Sequence, residues 1–251
     1  MVDIHSHILY GLDDGSKSLD ESVQMVKMAA ASGTTCIVAT PHASMEYSFD
    51  AAAVEQRSLE VAARVPDVRI CTGCDFHLSF ENIQDALQNP RKYTINRQQY
   101  LLVEFPDMVG FSTTPQIFAE LRRGGMIPIV THPERNAFLQ ENTDEMARWV
   151  DDGAYIQVTA QSFLGLFGRR ARDSAHHLMK RGLVHFVASD AHDLDRRTTR
   201  LRESFDHVSD RFGKDTAERL FIHNPSAVVD GAPILEHATA RSSRPWYKFW
   251  S

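Results

Sequence analysis

The sequence predicts an α/β fold whose parallel strands close into an irregular barrel. Short β-branched runs alternate with longer stretches of helical period, the first run leads straight into His5-Ser6-His7, and six of the seven runs finish in His, Asp or Glu. Strand-helix alternation at this spacing implies parallel strands joined by right-handed crossovers. An open sheet leaves its outer strand ends too far apart to share one site, whereas a barrel gathers every carboxyl end into one ring. The ligand-type residues at the run ends therefore select the barrel.

The seven strand candidates are residues 2–5, 35–40, 68–71, 100–104, 128–131, 155–159 and 185–189, and helical patterns cover 19–31, 51–63, 116–123, 144–151 and 171–181. Ser18-Leu19-Asp20-Glu21 forms a capping-box pattern at the start of the first helix, and Gly33 is placed to end it. Met25 and Met28, at helical spacing, are expected in the core. Residues 78–99 are polar and irregular, broken by Asn89-Pro90, and are expected as a surface excursion around a short helix. No linker divides the chain, so residues 1–240 are expected as one domain and 241–251 as a basic, aromatic tail. For that tail, packing on its own barrel or disorder is favoured over peripheral contact with a membrane surface or a kinase partner.

With 251 residues, 43% hydrophobic and 24% charged, the chain has an ordinary globular composition. A formal charge of −6 excludes a general nucleic-acid binder, which needs a basic patch for phosphates, but leaves room for a local anion pocket. No apolar run reaches membrane-span length and no leader precedes Met1-Val2-Asp3, so the expected location is cytoplasmic. Cys36, Cys71 and Cys74 are too few for a disulfide framework, and Cys71-Thr72-Gly73-Cys74 lacks partners for zinc. Small buried residues at a strand end are the expectation there.

Side chains alternate along a strand, so His5 and His7 share a face and can reach one ion. The later run ends add His42, Asp75, Glu104, His132, Asp190 and His192. Any one of these has an ordinary explanation; their ordered placement at strand ends does not. Imidazoles mixed with carboxylates suit Mn²⁺, Fe²⁺ or Zn²⁺, and so many ligands suit two or three ions sharing bridging carboxylates. Such clusters activate water and clamp phosphoryl groups. His176, His177, His185, His207, His223 and His237 fit no such placement and are expected as surface or packing residues, and Arg169, Arg170 and Arg172 as a solvated helix face.

Seven stretches taken in order carry a family resemblance: Asp3-Ile4-His5-Ser6-His7, Gly11-Leu12-Asp13-Asp14-Gly15, Ala39-Thr40-Pro41-His42, Leu102-Val103-Glu104-Phe105-Pro106, Thr131-His132-Pro133-Glu134-Arg135-Asn136, Gln157-Val158-Thr159-Ala160, and Ala188-Ser189-Asp190-Ala191-His192. The chain resembles the PHP (polymerase and histidinol phosphatase) superfamily, and within it the metal-dependent tyrosine-protein phosphatases of capsule and exopolysaccharide gene clusters, the CpsB/YwqE type. The resemblance implies an irregular (β/α)₇ TIM-like barrel with a site of two or three ions, Mn²⁺ above Fe²⁺ or Zn²⁺. His5, His7, Asp75 and Asp190 would hold the first ion, Asp75, Glu104 and His132 the second, and Asp14, His42 and His192 the third. Arg135 is similar to the family's phosphate-binding arginine, with Arg196 or Arg197 as a second. The family offers Glu where this chain has Asp75, one methylene shorter, and His77 stands nearby as a rival ligand.

The implied substrate is phosphotyrosine in a protein tail, by resemblance that of a bacterial tyrosine autokinase controlling polysaccharide export. Histidinol phosphate is the rival substrate and a non-catalytic, metal-stabilised scaffold the rival of another class. A cysteine mechanism is excluded, since a phosphate-cradling loop needs Arg six residues after Cys, where this chain has His42, His77 and Phe80.

Overall fold

The computed structural model describes residues 1–106 and 113–234. Its strands are β1 (Val2–Ser6), β2 (Cys36–Ala39), β3 (His42–Ala43), β4 (Arg69–Thr72), β5 (Asp75–His77), β6 (Tyr100–Glu104), β7 (Ile127–Thr131), β8 (Tyr155–Thr159) and β9 (Phe186–Ala188). All the pairings among them are parallel, in a sheet β1-β2-β4 and a sheet β3-β5-β6-β7-β8-β9. The chain is thus an α/β fold with parallel sheets.

Two strands beyond the seven expected, β3 and β5, follow short breaks after β2 and β4. β2 breaks from β3 at Thr40-Pro41, where proline has no N–H for a ladder. β4 breaks from β5 at Gly73-Cys74, and a Cβ on Gly73 would press on Thr40 Cγ2 and Val38 Cγ1 at 3.3 Å each. The breaks are bridged by backbone bonds, Gly73 N–H to Ala39 O at 2.9 Å and Asp75 N–H to Pro41 O at 3.2 Å. At the other side, a parallel bridge joins Ser6 to Ala191, with Asp190 N–H donating to His5 O and His7 N–H to Ala191 O, both at 2.8 Å.

The helices are α1 (Leu19–Ala31), α2 (Ala51–Ala62), α3 (Phe80–Gln88), α4 (Pro90–Tyr93), α5 (Thr114–Arg123), α6 (Ala137–Glu141), α7 (Thr143–Asp151), α8 (Gly168–Lys180), α9 (Arg202–Phe212), α10 (Lys214–Glu218) and α11 (Asn224–Asp230). At the start of α1, Ser18 Oγ accepts from Glu21 N–H at 3.2 Å, while Glu21 reaches back to Lys17 N–H at 2.7 Å, one residue beyond the box position. Met25 is core, but Met28 is only half-buried because it lies on the flank of α1.

The segment 78–99 is more than a surface excursion. Ala86, Tyr93 and Ile95 are buried, and the Tyr93 ring meets Phe76 edge-on at 5.1 Å. These apolar side chains, spaced widely among polar ones, leave no period for a sequence reading to find. The three helices after residue 201 were likewise outside the expected elements. α11 sets Val228 and Val229, with Ile234, against Val2, Ile4, Tyr100 and Phe186. Burying each such side chain stabilises the fold by about 1.5–3 kcal/mol.

Cys36, Cys71 and Cys74 are free and buried, and Cys71 and Cys74 stand around the end of β4 as expected. No helix among the described residues is long and apolar enough to cross a membrane. The tail 241–251 and His237 lie outside the described residues.

Candidate metal centre

β1 presents His5 and delivers His7 just past its end, and both side chains are buried. The loop 11–15 then folds back over them. A Cβ on Gly15 would stand 2.2 Å from His7 O and 2.5 Å from His7 Cβ, so only glycine allows this approach. With Gly15 in place, its N–H donates to Asp13 Oδ1 at 2.9 Å, and Asp13 Oδ2 meets His7 Nδ1 at 2.7 Å. The remaining site residues come from the ends of β3, β5, β6, β7 and β9. His132 (φ 32°) and Asp190 (φ 51°) sit in the left-handed region, a strain that non-glycine residues hold where surrounding structure enforces it.

The expected residues come together in overlapping groups. His7, Asp14, His42 and His192 form one, His5, His7 and Asp75 a second, and Asp75, Glu104 and His132 a third; within each, one ligand atom per residue lies within 4.8 Å of the others. Asp75 belongs to two groups, as a bridging carboxylate would, and His7 lies where two of them meet. Asp190 Oδ1 lies 3.4 Å from His5 Nε2 and 3.5 Å from His7 Nε2. His77, the rival of Asp75, instead joins His42 and Glu104 in a fourth group. Arg135 and Arg197 both donate to Asp190 Oδ2, Arg197 Nη2 at 2.7 Å, while Arg196 is exposed.

The protonation pattern suits cations. Carboxylate and amide oxygens only accept, so His7 Nδ1–H donates to Asp13 and His5 Nδ1–H donates to Gln157 Oε1 at 2.8 Å. In the neutral rings both Nε2 atoms then carry lone pairs, and they face each other at 3.2 Å. That contact repels unless a proton or a metal ion lies between them. His192 Nδ1 is similarly engaged, by Asp190 O at 3.1 Å, leaving its Nε2 aimed toward Asp14 at 3.4 Å. Holding the outer ring nitrogen so that the inner one points at an ion is how proteins orient metal-binding histidines.

Buried atoms without a hydrogen-bond partner cluster here too: His42 Nδ1, Asp75 Oδ2, Glu104 Oε2 and His192 Nε2. His42 Nδ1 does lie 3.2 Å from Asp75 Oδ2, but not in hydrogen-bond geometry. Burial disfavours a charged His5, yet Asp75 and Asp190 outweigh it and raise its pKa to about 9. Burial and the neighbouring His7 push His192 down to about 4. Burial would raise Asp190, but Arg135, His5 and Arg197 hold it well below the usual carboxylate range. An N/O donor set of this kind, free of thiolates, fits divalent Mn, Fe or Zn.

The family model for capsular polysaccharide synthesis, CpsB/CapC, matches residues 1–230. The chain belongs to the CpsB/CapC family. CapC of Staphylococcus aureus is 36% identical over 256 residues, spanning 98% of this chain and 99% of its own length. The tyrosine-protein phosphatase YwqE of Bacillus subtilis strain 168 is 33% identical over 224 residues, 86% of each chain. A crystal structure from work on YwqE and on CpsB of Streptococcus pneumoniae, described there as unique metal-dependent tyrosine phosphatases, superposes with a TM-score of 0.87. It covers 94% of this chain and 96% of that one, at 31% identity.

Within this CpsB/CapC chain, three supporting residues escaped the sequence reading. Asp13 adjoins Asp14 in the quoted motif, but only the partner His7 reveals its role. Gln157 is a wholly buried amide inside an otherwise apolar and threonine-bearing strand, and that anomaly is a usable signal. Glu134 is also wholly buried, accepting from Thr159 N–H at 3.1 Å and Ser162 Oγ at 2.6 Å, and so ties the Arg135 loop to β8.

Proposed function

We infer that this chain is a metal-dependent tyrosine-protein phosphatase of the capsular polysaccharide pathway. The observation that carries the reading is the facing pair of His5 and His7 Nε2 atoms, ringed by carboxylates and bordered by two arginines, in a chain so similar to metal-dependent tyrosine phosphatases. His5, His7, Asp75 and Asp190 would hold one ion, Asp75, Glu104 and His132 a second, and Asp14, His42 and His192 a third. Manganese is the expected metal, with iron or zinc as alternatives. Bound ions supply Lewis-acid stabilisation of the phosphoryl oxygens and an acidified water.

The protein's own groups do the rest. Arg135 and Arg197 exchange their shared contact with Asp190 for the phosphate, where planar guanidinium forks can make paired bonds to its oxygens. The Phe167 ring, 4.3 Å from Arg135 Cζ, steadies that guanidinium. Asp13, Gln157 and the Asp190 carbonyl hold His7, His5 and His192 at fixed orientations. The leaving phenolate has a pKa near ~10, so no strong general acid is needed and none is assigned.

Three further readings accompany this one. The two sheets act as a single irregular (β/α)₇ barrel, supported by the strand order and by the Ser6–Ala191 bridge. Residues 1–240 form the phosphatase domain, working in the cytoplasm, with 241–251 as a tail. The substrate is a phosphotyrosine-bearing tail, that of a bacterial tyrosine autokinase.

The deciding experiment is manganese-supported phosphate release from a phosphotyrosine peptide, beside histidinol phosphate and a phosphoserine peptide, with His42→Ala as control. Selective release from phosphotyrosine that the variant loses is expected. Preference for histidinol phosphate would overturn the substrate, and no release from any of them by the metal-loaded protein would overturn catalysis.

A further inference from the structure

The outer face of α8 is strongly basic in an acidic chain. It carries Arg169, Arg170, Arg172 and Lys180 against one acid, Asp173, where the whole sequence has a formal charge of −6. All four cations are exposed. Arg170 reaches Glu141 at 2.6 Å and Arg172 its neighbour Asp173 at 3.2 Å, while Arg169 and Lys180 make no ion pair among the described residues. Exposed pairs of this kind are worth about 0–1 kcal/mol, so a partner's carboxylates can replace Glu141 and Asp173 at little cost.

This face is joined to the metal centre. Phe167, which caps the amino end of α8, lies against Arg135, and Leu164 and Leu166 in the same loop are each 43% exposed. A groove of about 740 Å³ runs between α8 and α9, lined among others by Leu164, Arg172, His176, His207 and Arg211. His176 and His207 meet across it, Nε2 to Nε2, at 3.0 Å. α8 is roughly 20 Å long, a span that about six extended peptide residues cover. A polypeptide with its phosphotyrosine at Arg135 can therefore lay its neighbouring residues along this face.

We propose that the basic face of α8, with the α8–α9 groove, docks the acidic residues that flank phosphotyrosine in the protein substrate. The proposal rests on the phosphatase reading above and names the class of sequence it acts on. Complementary charge at a rim steers encounter and holds the substrate without entering the chemical step. Its signature is in KM and in salt dependence. A bilayer on the same face would cover the rim through which a protein substrate enters, which favours a peptide.

The test compares p-nitrophenyl phosphate, a phosphotyrosine peptide with Asp/Glu flanks, and the same peptide with Asn/Gln flanks, using metal-loaded wild type and Arg169→Glu/Arg170→Glu/Arg172→Glu. Wild type should favour the acidic peptide about tenfold in kcat/KM, mostly through KM, and lose the preference as salt rises. The reversed variant should lose or invert the preference while hydrolysing p-nitrophenyl phosphate at the wild-type rate. Arg169→Gln/Lys180→Gln, which leaves the paired arginines alone, should give an intermediate loss if the triple variant fails to fold. Equal preference in wild type and variants, or none in wild type, would overturn the proposal. So would sedimentation with phosphatidylglycerol vesicles that the reversal abolishes while peptide preference stays unchanged, which would give the face to a membrane. Failure of wild type on all three substrates would sink the phosphatase reading itself, and this one with it.

Discussion

At the amino ends of β1, β6 and β9, Val2, Tyr100 and Phe186 meet Val228 and Val229 of α11 in a dry cluster, whereas toward the carboxyl ends of β1, β4 and β9 His5, Asp75 and Asp190 are buried as completely among other ionisable groups. Equal burial has opposite consequences. Apolar area removed from water stabilises by roughly 25 cal/mol per Å². A buried ion costs several kcal/mol unless opposite charges compensate it. Along β6 the change happens within one strand face, from Tyr100 and Leu102 to Glu104. The amino-end cluster holds the fold together, and the carboxyl-end cluster draws on that stability to keep charges in place for binding and chemistry.

The contrast can be broken first at the carboxyl end. Asp75→Ala should lower manganese-dependent phosphotyrosine hydrolysis by about a thousandfold or more, since several kcal/mol of charge stabilisation depend on it. Its unfolding midpoint in chelator should fall below that of chelated wild type, because the buried His5 and His42 lose a carboxylate that compensates them. An unchanged midpoint would mean that Asp75 adds nothing to the metal-free fold. At the other end, Phe186→Ala should cost about 3–5 kcal/mol by denaturant titration. The folded fraction should bind as much metal as wild type, and reduced stoichiometry would show that the two ends are not separable. The smallest effect is expected from Asp13→Ala, which frees the His7 ring without removing a proposed ligand. Metal affinity by titration calorimetry should fall about 10–100-fold, with activity recovered at high manganese. Unrecovered activity would make Asp13 more than a support for His7.

How much of this was legible depends on where each partner lies in the chain. The capping serine of α1 and the strands 100–104 and 155–159 follow from local period and punctuation, and they stand where those signals put them. His5, His7, His42, Asp75, Glu104, His132, Asp190 and His192 were readable because ligand-type side chains at strand ends are conspicuous, Asp14 only through the family resemblance, and the fold gathers them. The break at Gly73, the burial of Tyr93 and the packing of α11 were not readable. Each answers to a neighbour distant in sequence, such as Val38 beside Gly73 or Phe76 beside Tyr93.

The sequence by itself determined the alternation of strands and helices, the residue types at the strand ends, the absence of a cysteine mechanism and the likeness to a phosphatase family. These are properties of adjacent residues and of their order. Only the tertiary structure decided which nitrogen of each histidine points inward, since His5 takes its orientation from Gln157, 152 residues away. It also decided that Arg135 and Arg197 converge on one carboxylate, and that a basic helix borders the rim. Hydrogen-bond direction and proximity in space are set by packing between distant segments, and no local pattern encodes them.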